Sequence, residues 1–227
     1  MSGPNTPADL ADLLRANPFF AGLDEASSTA LANHAIWRHY AAGEMVFLEG
    51  ETALGLSILQ SGWLKIVKTS PDGREQVLRY LEAGEAFNAL ALFADRPNSA
   101  TAIALEPADV WHLPREAVLA LLRSRPDFAE RLLAAMARHL VALVSLVEDL
   151  SLRPVTGRLA RLILAQAEDD VLHRPRWYTQ TELAAQLGTV ADVVQRALNG
   201  LAADGLITVE RSRIVIVDRV RLAALAS

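Results

Sequence analysis

Residues 188–201 read GTVADVVQRALNGL, and helical period divides their chemistry in two. Val190, Val193, Val194, Ala197, Leu198 and Leu201 recur at steps of three and four, the spacing of a face packed on a core. Ala191, Asp192, Gln195, Arg196 and Asn199 fall on the other face, all short or hydrogen-bonding. A face that only had to stay solvated would more typically carry Glu and Lys. These side chains match base-pair edges instead. Arg196 can donate twice to guanine O6 and N7, and Gln195 can pair with adenine N6 and N7. Asp192 can accept from a cytosine amino group or orient Arg196 four positions on. Ala191 is small enough for close approach and for contact with a thymine methyl. Thr179, Gln180, Thr189 and Val190 stand at helix starts, where polar side chains and free backbone N–H groups suit phosphates. Arg211 and Arg213, further on, would reach the sugar–phosphate backbone.

That chemistry requires elements that present it. VTGRLARLILAQA, at residues 155–167, predicts a helix with Leu159, Leu162 and Ile163 on one side. After the polar break EDDVLHRPRW, Thr179 and Glu182 have capping-box spacing, so a helix starts there and runs to about Leu187. Gly188 breaks it, Thr189 and Asp192 repeat a cap-like spacing, and the residue 188–201 helix follows to the ADG at 203–205. LITVE and RIVIV around Arg211–Ser212 predict a β-hairpin. Helix, tight turn, helix and hairpin is the winged helix-turn-helix plan, in which the second helix lies in the major groove.

Upstream, Pro126 can open a long helix and Pro154 must bend or end one. Between them Leu133, Met136, Leu140, Leu143, Val147 and Leu150 step by 3, 4, 3, 4 and 3, an a/d seam. This predicts a dimer interface made by pairing with the same helix of a second chain. Earlier still, residues 8–22 and 25–36 predict short helices. Glycines at 43, 50, 55, 62, 73 and 84 then bound runs such as EMVFL, LSILQ, WLKIVK and QVLRYL. With ATAIAL and DVWHLP these predict an antiparallel sandwich or barrel. The expected fold is α+β. A jelly-roll-like β-roll fills residues 1–125, a dimerisation helix 126–153, and a winged helix-turn-helix 154–227.

Composition narrows the chemistry. The 227 residues include no cysteine, which excludes a disulfide framework and thiolate-ligated zinc or iron–sulfur sites. The N-terminus lacks a secretory pattern and no apolar run spans a membrane, so a cytoplasmic location is expected. The net charge is −5, but it is unevenly spread. Residues 1–150 carry 12 Lys and Arg against 19 Asp and Glu, whereas residues 151–227 carry 10 against 8. A mildly basic tail fits a polyanionic partner. No H-x-H, G-x-S-x-G or P-loop pattern occurs, so no enzyme is expected and no metal site is assigned.

The chain as a whole resembles the CRP/FNR family of bacterial transcription regulators. The likeness rests on the glycine-punctuated β-roll, GEAFNALALFADRPNSATA at the family's phosphate-binding cassette, and the long helix ending in VTGRLARLI. TQTELAAQLGTVADVVQRAL, then GLI and a wing, completes it. The resemblance implies a homodimer on double-stranded DNA, RNA polymerase as a partner, no membrane association, and an effector site between β-roll and dimer helix. Members that bind cyclic AMP use Gly-Glu, Arg-Ser and Thr-Ser pairs for it. Asn88–Ala89, Asn98–Ser99 and Leu143–Val144 stand at those positions here. The cation and the ribose acceptor are gone, so cyclic AMP is not the expected effector. The resemblance leaves a pocket of Phe87, Leu90, Leu143 and Val144 with Asn88, Ala89, Asn98 and Ser99. An apolar ligand or heme would fit the type, with His139 the candidate iron ligand, and the effector stays unknown. Two alternatives remain open: a collapsed pocket in an effector-independent regulator, or a ligand-binding dimer whose C-terminal domain docks on protein.

Overall fold

Two of the strands, 55–61 and 108–114, send alternate side chains into two different cores. The computed structural model describes residues 6–93 and 97–226. The chain divides into two units, residues 1–68 with 79–142 and residues 69–78 with 143–227. In the first, α1 (Pro7–Ala16) is capped by a reciprocal box between Thr6 and Asp9. It stops short of the expected residue 22 because Asn17, before Pro18, is extended. α2 spans Glu25–Ala32, and the expected helical end up to residue 36 is absent. Ile36–Tyr40 instead begins β1, which pairs along its length with the last strand of the roll.

The remaining strands are β2 (Met45–Phe47), β3 (Gly55–Ser61), β4 (Leu64–Thr69), β5 (Glu75–Leu81), β6 (Ala86–Phe87), β7 (Thr101–Ala104) and β8 (Ala108–Pro114). They form sheets of order β1-β8-β3-β6 and β2-β7-β4-β5. Leu56, Ile58, Trp111 and Leu113 leave one face of β3 and β8 and meet Leu10, Phe20 and Phe128. Leu59 and Val110 leave the other face and meet Leu64, Leu81 and Ala102. α3 (Arg115–Ser124), which the sequence reading did not anticipate, follows β8 directly and buries Val118 and Leu121. α4 (Pro126–Leu152) follows, and Phe128 and Leu132 anchor its start.

The second unit contains residues 75–78 of β5 and 143–152 of α4, then α5 (Val155–Gln166), β9 (Val171–His173), α6 (Gln180–Leu187), α7 (Ala191–Ala203), β10 (Ile207–Val209), β11 (Arg213–Ile216) and α8 (Arg219–Leu225). The hairpin expected around Arg211–Ser212 is β10–β11, with register Ile207↔Ile216. β9 joins it as a third strand inside what reads as a polar break. Asp169 and Asp170, both at positive φ, turn the chain into β9. Among the described residues no helix is long and apolar enough to cross a membrane.

One polar cluster sits inside the roll. Buried His112 is bracketed by Tyr40, whose hydroxyl lies 2.9 Å from Nε2, and Ser57, whose hydroxyl lies 3.0 Å from Nδ1. Burial first, and the Arg38 charge second, push its pKa down to about 4. An imidazole in the unfolded chain keeps a pKa of about 6.5 and so binds its proton more readily than the folded state does. The stability held by neutral His112 is therefore complete above pH 6.5 and is lost as pH falls towards 4, by up to about 3 kcal/mol. In urea titrations the stability of the wild type should drop across this window by more than that of His112→Gln. Parallel declines would contradict the assignment.

Candidate functional site

The period division within residues 188–201 is realised in α7. Val194, Ala197, Leu198 and Leu201 are buried, while Asp192, Arg196 and Asn199 are exposed and Gln195 is half-exposed. These four polar residues fall at i, i+3, i+4 and i+7, a single stripe. Val190 departs from the expected apolar face. It is the exposed N-cap residue, and it offers no side-chain cap. The cap-like pairing of Thr189 with Asp192 does not form, because the Thr189 N–H turns back to the Ala184 carbonyl at 2.9 Å. The first turn of α7 thus keeps backbone donors without a side-chain acceptor. α6 differs: Thr179 accepts from the Glu182 N–H at 3.2 Å.

The turn between the helices is fixed from several sides. Gly188 has φ +64°, a conformation that glycine adopts without strain, and its N–H also bonds the Ala184 carbonyl. A Cβ there would lie 2.5 Å from the Gln76 side chain and from Leu150. The last carbonyls of α6 are satisfied by side chains. Arg158 donates to the Leu187 carbonyl at 2.7 Å, and Gln76 donates to that of Gln186 at 3.3 Å. A cation at a helix C-terminus also meets the negative end of its dipole. Neighbouring Gly157 allows the end of α8 to approach, since a Cβ would come within 2.9 Å of the Leu225 carbonyl. Neither Gln76 nor Arg158 was a candidate from the sequence. Arg158 stood in the VTGR signature, where nothing nearby in sequence names its partner.

On the presented face, Arg196 Nε lies 3.4 Å from the main-chain carbonyl of Asp192, so the Asp192 carboxylate does not orient it as expected. Gln180 donates to Gln195, which donates to Asn199 at 2.8 Å. Ala191 is half-buried at the helix start. In the wing Arg211 is exposed, and Arg213 forms two bonds to Glu210, of 2.8 and 3.0 Å. Its charge is therefore already balanced.

The expected dimer seam divides. Leu133, Leu140 and Val147 are each more than 60% exposed, whereas Met136, Leu143 and Leu150 are half-buried. Met136 packs on the first unit's core, and Leu150 lies against the Gly188 turn. The exposed apolar stripe runs instead through Leu133, Ala137, Leu140, Val144 and Val147, with Val141 beside it.

The residues of the expected pocket have different surroundings. Phe87 is buried in the β-roll core and stacks with Phe47 at 6.2 Å. Asn88 takes a left-handed conformation (φ 62°) and donates to Asn98 at 3.3 Å. Asn98 is buried and in turn donates to the Leu48 carbonyl at 3.3 Å. Ala89 packs on the N-terminal core, Leu90 is exposed, and the Ser99 carbonyl accepts from Lys68 at 3.0 Å. Leu143 and Val144 fall in the second unit. His139 is half-buried, and burial, then the Arg79 charge, holds its imidazole below the usual pKa. Neutral nitrogen suits metal ligation, but among the described residues no cluster of three His, Cys, Asp or Glu can hold an ion.

Known proteins share this arrangement. Residues 37–125 match the cyclic nucleotide-binding domain, and residues 157–225 match the Crp-like helix-turn-helix domain. The CRP-like cAMP-activated global transcriptional regulator of Mycobacterium tuberculosis is 30% identical over 218 residues, covering 93% of this chain and 97% of the relative. The chain belongs to the CRP/FNR family. The cyclic AMP receptor protein of Thermus thermophilus is 30% identical over 196 residues, 86% of this chain and 89% of that one. The solved structure of FixK2 from Bradyrhizobium japonicum shares the fold, with a TM-score of 0.74 at 22% identity over 85% of this chain and 98% of the other. The chain is thus a CRP-like transcriptional regulator with a helix-turn-helix DNA-binding domain, and its relatives are regulators rather than enzymes. In this regulator the VTGR arginine braces the turn between α6 and α7. Arg158→Ala should lower stability in urea titrations by about 1–3 kcal/mol through the lost charged hydrogen bond. Arg158→Lys should recover part of it, and an unchanged midpoint for Arg158→Ala would remove the bracing role.

Proposed function

We propose that this regulator binds duplex DNA in the cytoplasm as a homodimer, with α7 of each chain in the major groove. Asp192, Gln195, Arg196 and Asn199 would face base edges. The observation that carries this reading is the α7 stripe: four polar residues turned outward on a helix whose opposite face is buried. The uncapped first turn of α7 adds donors where a phosphate would lie. Thr179, Gln180, Thr189 and Arg211 flank it on the same reading. Arg213, already paired with Glu210, contributes least. Arg196→Ala should cost about 1–3 kcal/mol of discrimination at one guanine. An equal loss on every duplex would contradict the base-reading role.

The dimer is supported by the exposed stripe on α4. Leu140 and Val144 are 63% and 62% exposed in the single chain, and a contiguous exposed apolar stripe marks an interaction surface. Leu140→Asp should reduce the light-scattering mass to that of one chain, and an unchanged mass would exclude this face.

The effector, on this reading, is not cyclic AMP, although relatives are named for it. Asn98 stands where a phosphate needs a cation, and its amide is engaged by Asn88 and the Leu48 carbonyl. The same engagement favours a second reading, in which the cassette takes no effector at all. Cyclic AMP should leave the melting temperature unchanged; a concentration-dependent rise would restore it as ligand. An absorption spectrum of the purified protein separates the remaining cases, since heme on His139 would give a Soret band.

A further inference from the structure

Three side-chain amides link the two helices of the DNA-binding domain. Gln180 on α6 donates to Gln195 Oε1 on α7, and Gln195 Nε2 donates to Asn199 Oδ1 at 2.8 Å. A primary amide has two acceptor lone pairs and two N–H groups. The two bonds occupy one of each on Gln195. One acceptor and one donor remain, on a half-exposed side chain beside Arg196. An adenine edge requires that combination: an acceptor for N6–H and a donor for N7.

The chain also has a direction. Reversing the Gln195 amide alone would set N–H against N–H at Gln180 and oxygen against oxygen at Asn199. The three amides therefore reverse together or keep their sense together. We infer that Gln180 and Asn199 are positioning residues that hold the Gln195 amide in one sense for an adenine, so that base preference there belongs to the three-amide chain. This rests on the DNA-binding reading above, and it replaces the phosphate role for Gln180 and the base-edge role for Asn199. A free glutamine gives up rotamer entropy when it pairs with a base, whereas a pre-ordered one gives up less. Arg196 contrasts with it: among the described residues its Nε approaches a main-chain carbonyl at 3.4 Å.

Selection of duplexes from a random-sequence library by the full-length protein tests this, with melting temperatures recorded for each variant. Gln195→Ala should relax an adenine preference by roughly 5–100-fold at one position of the selected site. Gln180→Ala and Asn199→Ala should each relax the same position by about threefold or more. The guanine preference lost in Arg196→Ala should stay intact in both variants, and melting temperatures should not move. Combining Gln180→Ala with Gln195→Ala should add nothing at that position. An adenine preference of wild-type strength in both neighbour variants would overturn the inference. So would a uniform loss on all duplexes, the mark of a phosphate contact. If the wild type selects no sequence, the DNA-binding reading falls as well. If it selects one and Gln195→Ala leaves every position intact, only the amide chain falls.

Discussion

The left-handed turn at Gly188 is the constraint on which the DNA-binding domain depends. Two successive N–H groups, of Gly188 and Thr189, converge on the Ala184 carbonyl. Arg158 and Gln76 take the carbonyls of Leu187 and Gln186. A helix end normally leaves such groups to water, where they permit fraying. Here the end is closed by protein donors, so α7 leaves the turn in a defined direction. Its apolar face then seats on the domain core, and the polar stripe turns outward. Because Arg158 lies on α5 and Gln76 on β5, two distant parts of the sequence set the aim of one helix.

The regulator uses its polar side chains unevenly. Arg213 and Asn98 spend their hydrogen-bonding capacity inside the protein. Arg196 and Asn199 keep theirs at the surface, where each has one internal bond. The division follows exposure and connection: a group already satisfied offers little to an incoming partner, because a new bond must first break an old one. The same logic separates cassette from recognition helix. Asn88 and Asn98 tie their amides internally, whereas the exposed stripe of α7 keeps donors and acceptors at the surface.

Much of this was legible in the sequence because period and punctuation are local signals. Thirteen residues of α7 are enough for the 3.6-residue period to divide faces, and glycines mark most ends of the roll's strands. Signals failed where the information is not local. The first residue of β1, Ile36, reads as the end of a helix because isoleucine suits either structure, and only pairing with β8 decides. β6 has two residues and β9 three, too short for any period. The α4 seam takes residues from two stripes, Leu133, Leu140 and Val147 exposed and Met136, Leu143 and Leu150 half-buried. Two neighbouring stripes are both apolar, one packs within its own chain, and only burial tells which is left over. The amide chain joins residues on two helices, and no spacing rule connects Gln180 to Gln195.

The central claim is that two copies of α7 occupy the major groove, one helical turn apart. Methylation of guanine N7 by dimethyl sulfate reports that groove directly, using a duplex selected by the protein. Two clusters of protection centred about 10 base pairs apart are the result this account predicts. Protection confined to adenine N3 in the minor groove, or a single isolated cluster, would contradict it.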